Sequence, residues 1–144
     1  MIALDTNILV YAHRRDSEWH RPAVAAIAEL AESSANWAIP WPAVHEFLSI
    51  VTHPRIYDPP TPLTDALKQV EIWMESPTLR LLGELHGHWP ELKLILRAGR
   101  IVGPAVHDAR IAALCREHGV RELWSADRDF GRISGFSVRN PLTA

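Results

Sequence analysis

Five acidic residues stand where chemistry could be done: Asp5, Glu46, Asp108, Asp127 and Asp129. Asp5 comes where an apolar opening run gives out. Asp127 and Asp129 follow a second apolar run, Val120 to Trp124. Aspartate after a strand is often no more than a turn residue. Asp108 is different, because it interrupts an apolar helix. Side chains three, four and seven positions on share its face, and these are Ile111, Ala112 and Cys115. An ionised carboxylate on an apolar face is costly unless it is paired or bound to a metal. Arg110, Arg116 and the helix dipole are its ordinary alternatives. Glu46 sits at the edge of an apolar stripe beside Ala43 and Ile50, where a solvated glutamate would be unexceptional. Taken as a set the acids say more. Carboxylates crowded together raise one another's pKa and cannot all ionise without a compensating cation. A hard divalent ion with oxygen ligands resolves this, Mg²⁺ or Mn²⁺ rather than zinc. The chemistry expected is hydrolysis by metal-activated water.

The elements that must position these acids follow from periodicity. Ile2 to Leu9 reads as a buried strand, with Asp5, Thr6 and Asn7 near its end. His20 to Ser33 reads as a helix and Trp37 to Ile39 as a strand closed by Pro40. Pro42 suits the first turn of a helix that runs to about Thr52, with Val44, Phe47, Leu48 and Val51 at helical spacing. Thr64 is the expected N-cap of a helix to about Glu75, whose apolar contacts would be Leu67, Val70, Ile72 and Trp73. Leu79 to Leu82 is a third strand, and Trp89 to Ala98 a helix stopped by Gly99. Pro104 or Ala105 opens a helix to His118, closed by Gly119. Val120 to Trp124 is a fourth strand, Ser125 to Phe130 a polar turn, and Phe136 to Val138 a short edge strand. The Asp58-Pro59-Pro60-Thr61-Pro62 segment reads as a loop. This alternation predicts one α/β domain over residues 1–144, with a mainly parallel sheet of four to five short strands flanked by helices. Such sheets bind ligands outside the carboxyl ends of their strands, where Asp5, Asp127 and Asp129 are expected.

Composition narrows the class. A chain of 144 residues, 47% hydrophobic and 22% charged, suits one ordered domain. Cys115 is the only cysteine, which excludes an intrachain disulfide and a cysteine-built zinc site. No run approaches a membrane span, and the opening residues lack the basic start of a secretory signal, so a cytoplasmic protein is expected. The net charge of −2 counts against nucleic acid as a partner unless bound cations supply positive charge.

The assembled residues resemble the PIN-domain ribonucleases, and in particular the VapC-type toxins of bacterial toxin–antitoxin pairs. The matching pieces are Leu4-Asp5-Thr6-Asn7-Ile8-Leu9, Val44-His45-Glu46-Phe47, Val106-His107-Asp108-Ala109-Arg110-Ile111-Ala112-Ala113 and Trp124-Ser125-Ala126-Asp127-Arg128-Asp129-Phe130. Their order and spacing cover essentially the whole chain. The resemblance implies that Asp5, Glu46 and Asp108 are core ligands of Mg²⁺ or Mn²⁺. Asp127 and Asp129 would share the fourth place, one directly and one through water. Thr6, Asn7 and Ser125 would orient the carboxylates. It further implies an RNA substrate cut to a 5′-phosphate and a 3′-hydroxyl, a cognate antitoxin that blocks the acidic pocket, and a homodimer. Arg14, Arg15, Arg110 and Arg128, with His13 and Arg132, are candidates for gripping the RNA backbone. Trp41 and Trp124 could stack on bases, although core packing is the expectation for both. His45 and His107 adjoin two of the acids, but helical neighbours point about 100° apart and need not share a site.

Other chemistries compete. A phosphatase or phosphotransferase could use Asp5 as nucleophile, but the acid it wants two residues on is Asn7. A zinc hydrolase would need His-Glu-x-x-His, and position 49 is Ser49. A catalytically silent RNA- or partner-binding module is the third alternative, against which stands the complete set of acids. No Gly-x-Ser-x-Gly nucleophile motif and no phosphate-binding glycine loop occurs.

Overall fold

The computed structural model describes residues 1–133, 135 and 137–143, and of Arg132 only the backbone. Five parallel strands form one sheet: β1 (Ile2–Leu4), β2 (Trp37–Pro40), β3 (Leu79–Leu82), β4 (Glu122–Trp124) and β5 (Ser137–Arg139). Their order is β3-β2-β1-β4-β5, and each adjacent pair is parallel. Six α-helices connect them: α1 (Thr6–His13), α2 (His20–Glu32), α3 (Trp41–Val51), α4 (Leu63–Met74), α5 (His88–Gly99) and α6 (Ala105–Glu117).

Strand alternation sends successive side chains to opposite faces. Leu4, Trp37, Ile39 and Trp124 join one core with residues of α1 to α4. Ala3, Ala38 and Leu123 join the other with α5 and α6. On that second face small residues meet small residues, Ala3 and Ala38 from the sheet and Ala109, Ala112 and Ala113 from α6, all fully buried. On the first face Phe47 is the anchor, with its ring edge-on to Trp73 at 5.0 Å and to His13 at 5.4 Å.

The chain winds from β1 through β2 to β3 on one side, then crosses to β4 and β5 on the other. The strand order therefore reverses between β1 and β4. In parallel α/β sheets, a crevice opens at the carboxyl ends of the strands at such a point. Asp5 and Ser125 are the residues that follow these two strands.

Several local expectations are corrected. The run Ile2 to Leu9 is not one strand: β1 ends at Leu4 and α1 starts at Thr6. Asp5 is the N-cap between them, its Oδ1 accepting from the Thr6 N–H. A short apolar run such as Ile8-Leu9-Val10 suits a buried helix as well as a buried strand, and the cap decides. Thr64 is not the cap of α4. Pro62 holds that place, with its carbonyl accepting from Asp65 and Ala66. Leu67 and Ile72 face outward, 44% and 49% exposed, while Ala66, Val70 and Trp73 are buried. The left-handed residue that ends α5 is Arg100, with φ 50°, not Gly99. Gly119, with φ 67°, closes α6 while the Val120 N–H donates to the Cys115 carbonyl. Within Ser125 to Phe130 a 3-10 helix begins at Arg128. Trp124 is buried, but Trp41 is 38% exposed and stacks on His45. Phe136, the expected start of the edge strand, and the Arg132 side chain lie outside the described residues. Among the described residues no helix is long and apolar enough to cross a membrane.

Candidate active site

Asp5 enters the crevice because β1 ends there. Its N–H still belongs to the sheet, donating to the Trp124 carbonyl at 3.0 Å. The side chain is only 5% exposed. Oδ1 accepts from the Thr6 N–H at 2.8 Å, and Oδ2 accepts from Ser125 Oγ at 2.7 Å and from Asn7 Nδ2 at 3.3 Å. Burial pushes the carboxyl up to about 6, the nearby charges of Asp108 and Glu46 add to this, and the bonds from Ser125 and Thr6 pull against it.

Ser125 ties the two strand ends together. Its hydroxyl donates to Asp5 and accepts from Asn7 Nδ2 at 3.3 Å and from the Asp127 N–H at 2.9 Å. Asn7 Oδ1 accepts from the Ala126 N–H at 3.1 Å. Asp127 then caps the 3-10 helix, Oδ1 accepting from the Asp129 N–H at 2.8 Å. From α3 comes Glu46, half-buried, whose Oε2 accepts from Thr6 Oγ1 at 2.9 Å. Asp108 comes from the first turn of α6, also half-buried. Its carboxyl is pushed up to about 6, by burial first and then by Asp127, Glu46 and Asp129, with His107 opposing.

One cavity of about 310 Å³ gathers Asp5, Glu46, Asp108 and Asp127, together with Thr6 and Asn7. Asp129 is not part of its lining. It is exposed and borders a neighbouring cavity of about 140 Å³, whose wall it shares with Asp108 and Arg100. Asp127 therefore lines the cavity that holds Asp5, and Asp129 the cavity next to it, with Asp108 on the wall of both.

The donor set is all hard oxygen, which suits Mg²⁺ or Mn²⁺. Among the described residues no three His, Cys, Asp or Glu side chains are arranged to hold a metal ion by themselves. These facts are compatible, because Mg²⁺ usually takes one or two carboxylates and completes its shell with water and substrate phosphate. Carboxylates that face one cavity with raised pKa values fit such an ion.

The remaining candidates separate. His45 and His107 are exposed and do not line the cavity. Arg14 is committed within the chain. It pairs with Asp16 through Nε at 2.9 Å and Nη2 at 2.6 Å, and Nη1 reaches the Pro59 carbonyl at 3.0 Å. His13 is held between Gln69 and Thr61. Arg15 and Arg128 are exposed and Arg110 is half-buried. Arg128 borders a third cavity that continues past Ser125 and Asp127. Cys115 is buried close to Asp5. Its thiol is pushed up to about 12, by burial first and then by that carboxylate, so it is inert as a nucleophile.

Sequence reasoning missed the other wall of the acidic cavity, made by Val10, Tyr11, Ile50 and Tyr57. Tyr11 falls in α1, just past the run read as a strand, and Tyr57 in a loop without periodicity. The only available signal was an aromatic residue beside a proline-rich loop.

The PIN-domain family model matches residues 2–135. The chain belongs to the PIN-domain family. It is similar to Ribonuclease VapC48 of Mycobacterium tuberculosis, 31% identical over 139 residues that make up 96% of either chain. It is also similar to Ribonuclease VapC43 of the same organism, 30% identical over 142 residues, 99% of this chain and 96% of that one. Among solved structures, VapBC2 from Rickettsia felis bound to a DNA fragment from its promoter shares the fold. Its TM-score is 0.70 at 20% identity, covering 97% of this chain and 98% of that one. Mycobacterium tuberculosis VapC20, a toxin that cleaves the sarcin-ricin loop, shares it with a TM-score of 0.67 at 14% identity, covering 91% and 93%. The relatives at 30% and 31% identity are VapC ribonucleases by name, which supports a nuclease.

Proposed function

We propose that this PIN-domain protein is a Mg²⁺- or Mn²⁺-dependent endoribonuclease and the toxin of a type II toxin–antitoxin pair. The observation that carries the reading is the meeting of four carboxylates from four separate segments in one cavity, two of them pushed up to about 6. Asp5 and one other of Glu46, Asp108 and Asp127 would hold the cation directly, and the remaining acids, Asp129 among them, would reach it through water. A divalent cation bound there supplies Lewis acidity and the positive charge that a phosphodiester requires.

The chain's own groups do the rest. Thr6 orients Glu46, and Ser125 and Asn7 orient Asp5, each through a hydrogen bond already made. Asp5 and Asp108 give up their protons as the cation binds, so affinity rises with pH through about 6. No side chain need act as nucleophile: water would add its oxygen to phosphorus in line, the bond from phosphorus to the 3′ oxygen would break, and the water's proton would pass through solvent to that oxygen, leaving a 5′-phosphate and a 3′-hydroxyl. Arg15, Arg110 and Arg128 are the basic groups left for backbone phosphates.

The named relatives support an antitoxin partner, which would close the acidic cavity. We also infer a homodimer and a cytoplasmic setting from the family likeness. The test is cleavage of a mixed RNA pool in Mg²⁺ or Mn²⁺, with EDTA as control. Cleavage that survives EDTA, or that survives in Asp5→Asn, counts against the reading.

A further inference from the structure

The acidic cavity has an apolar and aromatic part to its lining that cation binding does not explain. Val10, Tyr11, Ile50 and Tyr57 line it beside carboxylates that would suffice for an ion, Val10 and Tyr11 one turn beyond Thr6 and Asn7 on α1 and Ile50 one turn beyond Glu46 on α3. At about 310 Å³ the space is at the low end of small-ligand pockets, roughly 300–1,000 Å³. That suits one nucleotide unit rather than a duplex.

Tyr57 is held more firmly than a loop residue usually is. Its N–H donates to the His53 carbonyl at 3.1 Å. The Arg14 guanidinium lies over its ring, 4.0 Å from the centroid. That guanidinium is itself pinned by both oxygens of Asp16, by the Pro59 carbonyl and by Thr61 Oγ1. A planar cation held by four hydrogen bonds to three residues restrains the aromatic ring it covers. Arg14 covers one face of Tyr57 and does not line the cavity that holds the acids, whereas Tyr57 does.

The geometry points to Tyr57 as a stacking platform for one unpaired base of single-stranded RNA, next to the phosphate the acids address. This rests on the ribonuclease reading and adds to it a residue that contacts the base. Bases in a duplex keep their faces stacked on neighbours, so only an unpaired base can meet the ring. Stacking also supplies affinity where positive charge is not in excess: the net charge is −2, and Arg14 is occupied by its own chain.

The test measures binding of fluorescein-labelled short oligoribonucleotides by anisotropy, in Mg²⁺, with Asp5→Asn as parent to suppress cleavage. A single abasic position is stepped along the RNA. Adding Tyr57→Phe should leave affinity unchanged. Adding Tyr57→Ala should weaken it by about 5- to 100-fold, the usual range for one stacked base. It should also abolish the penalty that one abasic position imposes on the parent. Tyr57→Leu, which keeps apolar bulk in the loop, should behave like Tyr57→Ala. Equal affinity in Tyr57→Ala and Tyr57→Leu overturns the platform, as does an abasic penalty that persists in them. Wild-type cleavage of the RNA pool is scored alongside. Cleavage with unaltered Tyr57→Ala binding removes the platform alone. RNA binding that follows the abasic pattern without cleavage removes the enzyme and leaves the platform.

Discussion

Asp5 and Glu117 are both carboxylates taken out of water, and the fold treats them in opposite ways. The Glu117 side chain, 4% exposed, accepts from the Leu85 N–H at 3.1 Å and meets His88 Nδ1 at 2.7 Å. Nearby, Arg116 Nε stands 2.6 Å from Glu91 Oε1, an ion pair although its angle misses that of a hydrogen bond. Asp5 is just as buried, but its neighbours in charge are other acids, Asp108 and Glu46, and only neutral donors reach it. Buried charge with an internal partner is a structural element. Buried charge of one sign, aimed into a cavity, is a deficit that something from outside must fill.

Exchanging Asp5 for asparagine should break the comparison most sharply. Cleavage should fall to background, while the fold in EDTA is kept or stabilised, because asparagine caps a helix as well as aspartate does. Cleavage gels and melting curves on the same preparation read both.

The pH dependence of the metal-free protein follows from the same deficit. The Asp5 carboxyl goes from an ordinary 3.8 to about 6 in the fold. The folded state then binds more protons than the unfolded state between these values, so stability falls as pH rises through that window. Asp5 alone accounts for about 3 kcal/mol of penalty above pH 6, on the order of 1.36 kcal/mol per unit. Denaturant melts in EDTA should show a loss between about pH 4 and 6 that Asp5→Asn reduces and does not abolish, because Asp108 is raised over the same window. Added Mn²⁺ at neutral pH should restore it.

Ser125→Ala sharpens the site side by removing a positioning donor and no ligand. Metal affinity or activity should drop roughly 10- to 100-fold, the usual range for such groups. Glu117→Ala sharpens the other side. It leaves His88 and the Leu85 N–H without their acceptor, at a cost of about 1–3 kcal/mol in stability. Cleavage per folded molecule should not change. Loss of cleavage there would mean that the two regions are not separate.

Much of this site was legible in the chain because charge conflicts with pattern. Asp108 stands out among Ala105, Ala109, Ile111 and Ala112, and strand–helix alternation points to a parallel sheet with acids at its carboxyl edge. What escaped depends on contacts that spacing does not encode. The start of α1 hinges on a cap bond from Asp5, and Ile8-Leu9-Val10 has no period long enough to reveal a helix. Asp127 and Asp129 look alike in sequence, and only the fold shows that they line different cavities. Trp41, large and apolar, reads as core but stacks on His45 at the surface. Tyr57 lies in a loop, and its place in the cavity is set by Arg14, forty-three residues earlier.

The most direct test is anomalous diffraction at the manganese edge from crystals soaked in Mn²⁺. The account predicts a peak in the crevice between β1 and β4, bonded to an oxygen of Asp5 and to at least one of Glu46, Asp108 and Asp127. An empty crevice under saturating Mn²⁺, or a peak found instead beside His88 and Glu117, would contradict it.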